Sequence, residues 1–161
     1  MRYYKEKLFW KIEEDTKKVF FTEYDDNQEY YSFIRKMIED KCHQITITSD
    51  VMLSYIEEIA LISDISIEKI EMMEEDDELT QEIEELVKRC VNNRGAIIEL
   101  IKKLKHLDEE SSVEIKRIYL RETNVENNIL GYVQVNGIVG ISAKNSRIID
   151  ALLRCVKEYL C

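Results

Sequence analysis

"LTQEIEELVKRCVNNRGAIIELIKKLKHL", residues 79–107, carries the most regular apolar pattern in the chain. Leu79, Ile83, Leu86, Cys90, Asn93, Ile97, Leu100, Leu104 and Leu107 follow at spacings of four and three, which keeps one seam on one helical face. The interruption is "NNRG" at 92–95. A Gly95 C-cap with two preceding Asn would normally end a helix, and a hairpin of two helices is the competing reading. A hairpin has no need to keep phase across its loop, whereas a continuous helix must. The spacing therefore favours one long central helix, bent if anywhere at Gly95. At about 1.5 Å per residue it would run about 45 Å, longer than a domain of this size is wide. Part of its seam would then need a second molecule. Leu86, Asn93, Ile97, Leu100 and Leu104 are the expected self-association residues, with Asn93 paired to its own copy to fix register. Val87 and Ile101 widen the apolar face beyond a two-position seam, which lets one end lie on the chain's own sheet.

Upstream, residues 3–12 and 17–24 alternate apolar with charged side chains or are rich in aromatic and β-branched residues, the signature of two strands joined at "EEDT". Asp25 or Asp26 would then cap a helix reaching about residue 41, with Tyr30, Phe33, Ile34, Met37 and Ile38 on one stripe. "QITITS" reads as a short strand, "DVMLSYIEEIALIS" as a helix and "ISIEKIEMM" as a strand. Together, residues 44–73 would form a βαβ crossover with parallel strands. Downstream, "SVEIKRIYLR" is a strand whose alternation slips between Ile115 and Ile118, pointing to a bulge or a change of face. "SRIIDALLRCVKEYL" closes the chain as an amphipathic helix with Ser146 or Asn145 as its cap.

One stretch invites a chemical reading: "YVQVNGIVGISAKNSRII", residues 132–149, with Gly131 just before it. A phosphate loop needs Gly, four residues, then Gly-Lys-Ser/Thr, but Gly137 and Gly140 are three apart and Lys144 does not follow a glycine. Asn136-Gly137 between Val133, Val135, Val139 and Ile141 instead fits a hairpin, with a type I′ turn expected from the Asn-Gly pair.

The 161 residues suit a single domain spanning 1–161, and 45% apolar with 35% charged residues describes a chain that builds a core. A formal net charge of −10 opposes binding to a phosphate backbone or an anionic membrane surface. No segment approaches the run of about 20 apolar residues that spans a bilayer. Four scattered cysteines without paired spacing, and only two histidines, suit reduced thiols in the cytoplasm better than a zinc site, and no cofactor or metal is expected. Proline is absent and Ile, Lys, Glu and Asn are abundant, a bias associated with AT-rich bacterial or phage genomes.

The residues that could carry function are few. Glu74, Glu75, Asp76, Asp77, Glu78 and Glu82 form an acidic run that could dock on a basic partner, although acids at a helix start also favour its dipole. Glu114 and Lys116 make the Glu-x-Lys half of a metal-dependent nuclease site, with no convincing upstream acid. Cys42 and His43 are sequence neighbours, which point apart and cannot act as a nucleophile pair. Tyr3, Tyr4, Tyr30 and Tyr31 could form a binding surface or a core edge.

The expected fold is α+β: a mixed, mostly antiparallel sheet of about six strands, helices mainly on one face, one long central helix and a C-terminal helix. The expected function is non-enzymatic, a homodimeric interaction module such as a phage or mobile-element accessory protein that modulates a host protein through acidic and helical surfaces. The alternatives are a small metal-dependent nucleic-acid enzyme using Glu114 and Lys116, and a homodimeric module with a small-ligand pocket under the Asn136 hairpin.

Overall fold

The computed structural model describes residues 3–25, 27–123 and 128–160. Strands β1 (Tyr4–Glu13) and β2 (Thr16–Glu23) form the N-terminal hairpin. Its two turn residues, Glu14 and Asp15, have φ of 51° and 64°, so the type I′ geometry sits here and on side chains other than glycine. Helix α1 (Tyr30–Glu39) follows. Asp25 does not cap it: its carboxylate accepts from the N–H of Asn27 at 3.0 Å, within the turn before the helix, and Glu29 is the cap residue. Asp26 lies outside the described residues.

Strand β3 (His43–Gln44) is only two residues long and pairs antiparallel with β1. "QITITS" does not continue as a strand because its hydrogen bonds pass from β1, at Ile45, to the turn after Gln134, at Ile47. The N–H of Ile45 donates to Leu8 O, and that of Ile47 donates to Val135 O at 2.8 Å. Ile45 and Ile47 are buried while Thr46 and Thr48 are exposed, which is what made the segment look like a strand. Helix α2 (Ser49–Ile59) then carries the chain to the far edge of the sheet and β4 (Ile65–Met72). The parallel βαβ unit expected over 44–73 is therefore not formed.

Residues 79–107 are not one helix. Helix α3 (Asp77–Asn92) ends at Asn93, which is extended at φ −145°, and helix α4 (Ala96–Ser111) starts after a three-residue turn. The Asn93 side-chain oxygen accepts from the N–H of Gly95 at 3.0 Å, and its carbonyl from that of Ala96 at 3.0 Å. Asn93 thus starts α4 as an Asx turn and is no seam residue. Leu100 and Leu104 are wholly buried in the chain's own core, with Leu86 and Ile97 packed against it. The seam assigned to a second copy is filled internally, which removes the ground for the dimer.

Strand β5 (Ile115–Thr123) pairs with β4, β6 (Asn128–Gln134) with β5, and β7 (Ile138–Ile141) with both β6 and β1. Met72 faces Ile115 and Glu71 faces Arg117, leaving Lys116 as the extra residue of a bulge. That bulge turns both Ile115 and Ile118 inward, the slip visible in the sequence. Helix α5 (Arg147–Leu160) ends the chain. The Ser146 hydroxyl oxygen accepts from the N–H of Ile148 at 3.1 Å, and the buried Glu122 carboxylate accepts from the N–H of Arg147 at 2.7 Å, placing negative charge at the helix N-terminus.

The main path of the sheet is β2-β1-β7-β6-β5-β4, with β3 beside β1, and every pairing is antiparallel among the described residues. The fold is α+β as expected, with an antiparallel sheet where a mixed one was expected. The inner face bears Leu8, Ile118, Val133 and Val139 and is covered by α2, α3, α4 and α5. The outer face bears Phe9 and Phe20, covered by Phe33 and Ile34 of α1. Helix α1 thus shields the β1–β2 part only.

The β6–β7 hairpin closes through a three-residue loop, with the N–H of Gly137 donating to Gln134 O at 3.0 Å and Gly137 at φ 84°. Asn136 is not among the positive-φ residues, so the turn is not type I′; a left-handed glycine after a tight turn is the longer-loop solution. A Cβ on Gly137 would stand 2.5 Å from the carbonyl oxygen of Ile45, where the strap of residues 45–47 crosses the turn. Gly137→Ala is expected to cost more than about 2 kcal/mol through strain and overlap together. Chemical denaturation that shows less than half of that loss would mean the strap yields freely.

Candidate functional site, an acidic pole on the helical hairpin

Helix α3 begins at its own acids. Asp76 accepts from the N–H groups of Glu78 at 3.0 Å and Leu79 at 3.3 Å, so its carboxylate is spent as the cap. Glu74, Glu75, Asp77 and Glu78 are exposed around it. Two ion pairs bridge α3 and α4: Glu82 with Lys103 at 2.9 Å and Arg89 with Glu99 at 3.3 Å. As one partner moves up the chain the other moves down, the register of an antiparallel pair. Extended by one turn and more, that register brings the end of α4 level with the start of α3, while Asp108 and Glu109 turn toward α2 and α5, beside Asp50, Glu57 and Tyr159.

A third segment joins them, because the N–H of Met73 donates to Glu114 O at 2.8 Å. Three separate stretches of sequence thus supply one acidic pole. The α4 acids are the informative part. The last turn of α4 contains no basic residue, and its free carbonyls already carry partial negative charge. Acids at the start of α3 stabilise their helix, while those at the end of α4 work against theirs.

The remaining sequence candidates are scattered. Glu114 precedes β5 instead of lying on it, and Lys116 is exposed in the bulge. Among the described residues no three His, Cys, Asp or Glu side chains converge as a metal site. Cys42 is buried under α1, whereas His43 stacks on Trp10 with ring centroids 4.1 Å apart, so the two diverge. Tyr30 packs on Tyr24 and Tyr31, and Tyr3 meets Tyr132 edge-on at 5.2 Å.

Sequence reading missed a polar network across the outer sheet face. Tyr119 donates to Glu71 at 3.0 Å; Arg117 donates to the Tyr119 oxygen at 2.7 Å and to the side-chain oxygen of Gln134. Gln134 in turn donates to the Asn136 side chain at 2.9 Å, and the ammonium of Lys7 donates to the Asn136 carbonyl. The Arg117 guanidinium lies 4.9 Å over the Tyr132 ring, which itself lies on Gly140, where a Cβ would stand 2.3 Å away. Only the lysine in the apolar stretch Lys7-Leu8-Phe9 hinted at this, since a buried lysine requires partners.

Lys7 is 1% exposed, and burial lowers its pKa from 10.5 to about 8. Its folded value lies below the unfolded one, so above about pH 8 the unfolded chain holds the extra proton and stability gains with rising pH. Relative to Lys7→Met, the wild type is expected to gain thermal stability between pH 8 and 10; parallel melting curves for the two proteins would refute the buried charge. Compared with known protein families, with curated proteins and with solved structures, the chain matches none.

Proposed function

We propose that this chain is a protein-interaction module, without chemistry of its own, that docks its acidic pole on a basic surface of another protein. The observation that supports the reading is the run Asp108, Glu109 and Glu110 at the C-terminal end of α4, which the antiparallel register brings level with the acidic start of α3. Such an arrangement sacrifices helix stability, and a sacrifice of that kind points to use at the surface. Clustered carboxylates attract cationic surfaces over about a Debye length and repel nucleic-acid phosphate. A partner whose lysines and arginines normally contact phosphate would find them occupied, which is how such a module modulates its target.

Replacing Glu74, Glu75, Asp77, Asp108, Glu109 and Glu110 by amides tests the reading in two directions. The α4 changes are expected to stabilise the fold by about 0.3–1 kcal/mol each, read as a higher melting temperature at low salt. The α3 changes return part of that gain, so triple variants of each helix are measured separately. Proteins retained by the immobilised wild type at low salt should elute as salt rises, and the sixfold variant should not retain them. Equal retention by both proteins would defeat the proposal.

A further inference from the structure

Between β2 and α2 the chain crosses the outer face of the sheet as α1 and returns through β3 and the strap at Ile45 and Ile47. The two parts of that excursion are held very differently. Ile45 and Ile47 are rooted in the main core under the inner face. Helix α1 buries only Phe33 and Ile34, in a separate small cluster with Phe9 and Cys42. No side chain caps its N-terminus, and among the described residues no ion pair or side-chain hydrogen bond ties it to the sheet. Few contacts of that kind mark a segment that opens before the rest.

Beneath the first turn of α1 lies Lys7, the one buried cation among the described residues. Its ammonium donates to the Asn136 carbonyl and stands 5.8 Å from the centroid of the Phe9 ring and 5.9 Å from that of Tyr30. A Cβ on Gly137 would lie 3.6 Å from the Lys7 nitrogen and 2.5 Å from the Ile45 carbonyl oxygen, so turn, strap and ammonium meet at one point. Thr22 and Ile138 stand opposite Lys7 in the ladders to β2 and β7, and Lys5 lies two places back on the same face of β1. From α1 the titratable group that faces it is Tyr30, whose phenol burial holds above its ordinary range and hence uncharged near neutral pH. One carbonyl and two ring faces are thin replacement for the water an ammonium with three donors gives up. Lys7 regains that water only when its cover lifts. The turn and the strap are anchored by Val139, Ile45 and Ile47 in the main core, which leaves α1 as the part that moves.

We infer that α1 is a hinged cover on the outer sheet face, which swings away to let the Lys7 ammonium into water and closes as that nitrogen loses its proton. With the cover closed, burial lowers the Lys7 pKa to about 8, and with it open the value returns to 10.5. Between those values the open form holds the extra proton, so closure strengthens as pH rises through them. Below about pH 8 both forms are charged and opening is at its greatest. Opening bares Phe9, Phe20 and Cys42 and makes no use of the acidic pole.

Two buried thiols report the motion: Cys42 under α1 and Cys155 in the main core. In a full chain carrying Cys90→Ser and Cys161→Ser, their alkylation by iodoacetamide is followed by mass spectrometry at pH 7, 8 and 9. Each rate is divided into that of the denatured chain at the same pH, which gives a protection factor for each thiol. At pH 7 Cys42 is expected to be at least tenfold less protected than Cys155, because lifting α1 frees Cys42 alone. Its protection should rise about tenfold from pH 7 to pH 9. Adding Lys7→Met should raise Cys42 protection at pH 7 and remove its dependence on pH. Equal protection of the two thiols would mean that Cys42 is reached only by unfolding of the whole chain, and would overturn the inference. So would Cys42 protection that stays flat from pH 7 to pH 9, or that rises as much with Lys7→Met in place. Should Lys7→Met misfold, the comparison of the two thiols across pH in the chain that keeps Lys7 decides the matter by itself.

Discussion

The Arg94 guanidinium donates to the carbonyl oxygens of Ala60 and Ile62, the latter at 2.9 Å, and the rest of the helical layer depends on that attachment. The Ala60 carbonyl caps the C-terminal end of α2, where partial negative charge favours a cation, and that of Ile62 follows just beyond it; each bond is charge-assisted. Arg94 itself sits in the turn between α3 and α4. Holding the turn against α2 fixes where α3 must stop and from where α4 must run back. The extended backbone of Asn93 and its bond to the N–H of Gly95 supply the local geometry, and Arg94 supplies the tertiary reason for it.

Reversal at this point decides what the apolar stripes cover. Ile83 and Val87 of α3 and Leu100 and Leu104 of α4 all join the core under the inner sheet face, alongside Ile118 and Val133. A continuous rod would have carried half of these side chains beyond the sheet; burying each contributes roughly 1.5–3 kcal/mol. The same reversal brings the end of α4 back to the start of α3, and thereby gathers carboxylates that lie more than thirty residues apart in sequence. Core closure and the acidic pole are two consequences of one turn.

The heptad phase survives that turn for a reason of counting. Asn93, Arg94 and Gly95 occupy about as many residues as one helical turn, so the spacing runs on unchanged although the axis reverses. Periodicity reports which face of each helix is apolar but is blind to a direction change of that length. Elsewhere the local signals sufficed: alternation marked β1, β2 and β4, and the slip between Ile115 and Ile118 marked the bulge at Lys116. What stayed hidden depends on crossings distant in sequence. The N–H of Ile45 donates to Leu8 O on β1 and that of Ile47 to Val135 O, so "QITITS" leaves its strand partner after two paired residues. Glu6 stands opposite Glu23 in the β1–β2 register, and Lys144, from the chain after β7, pairs with Glu23 and acts on the Glu6 charge as well, an arrangement that no local window contains.

A net charge of −10 also conceals how charge is distributed. Acids dominate the free end of the α3–α4 hairpin, on the inner-face side, while the outer face of the sheet carries Lys5, Lys7, Lys69, Arg117 and Arg121 among tyrosines. Several of these are held by carboxylates or rings: Arg121 by Glu68 at 2.7 Å, Arg117 over Tyr132. An approaching cationic surface therefore meets attraction at the acidic end of the hairpin and a largely neutralised face on the other side of the molecule. Such asymmetry orients an encounter before contact and raises productive collisions more than it raises final affinity. In the proposed interaction reading, the acids opposing the α4 dipole would contribute chiefly by setting which way round a partner arrives, even where each carboxylate adds little to the bound state.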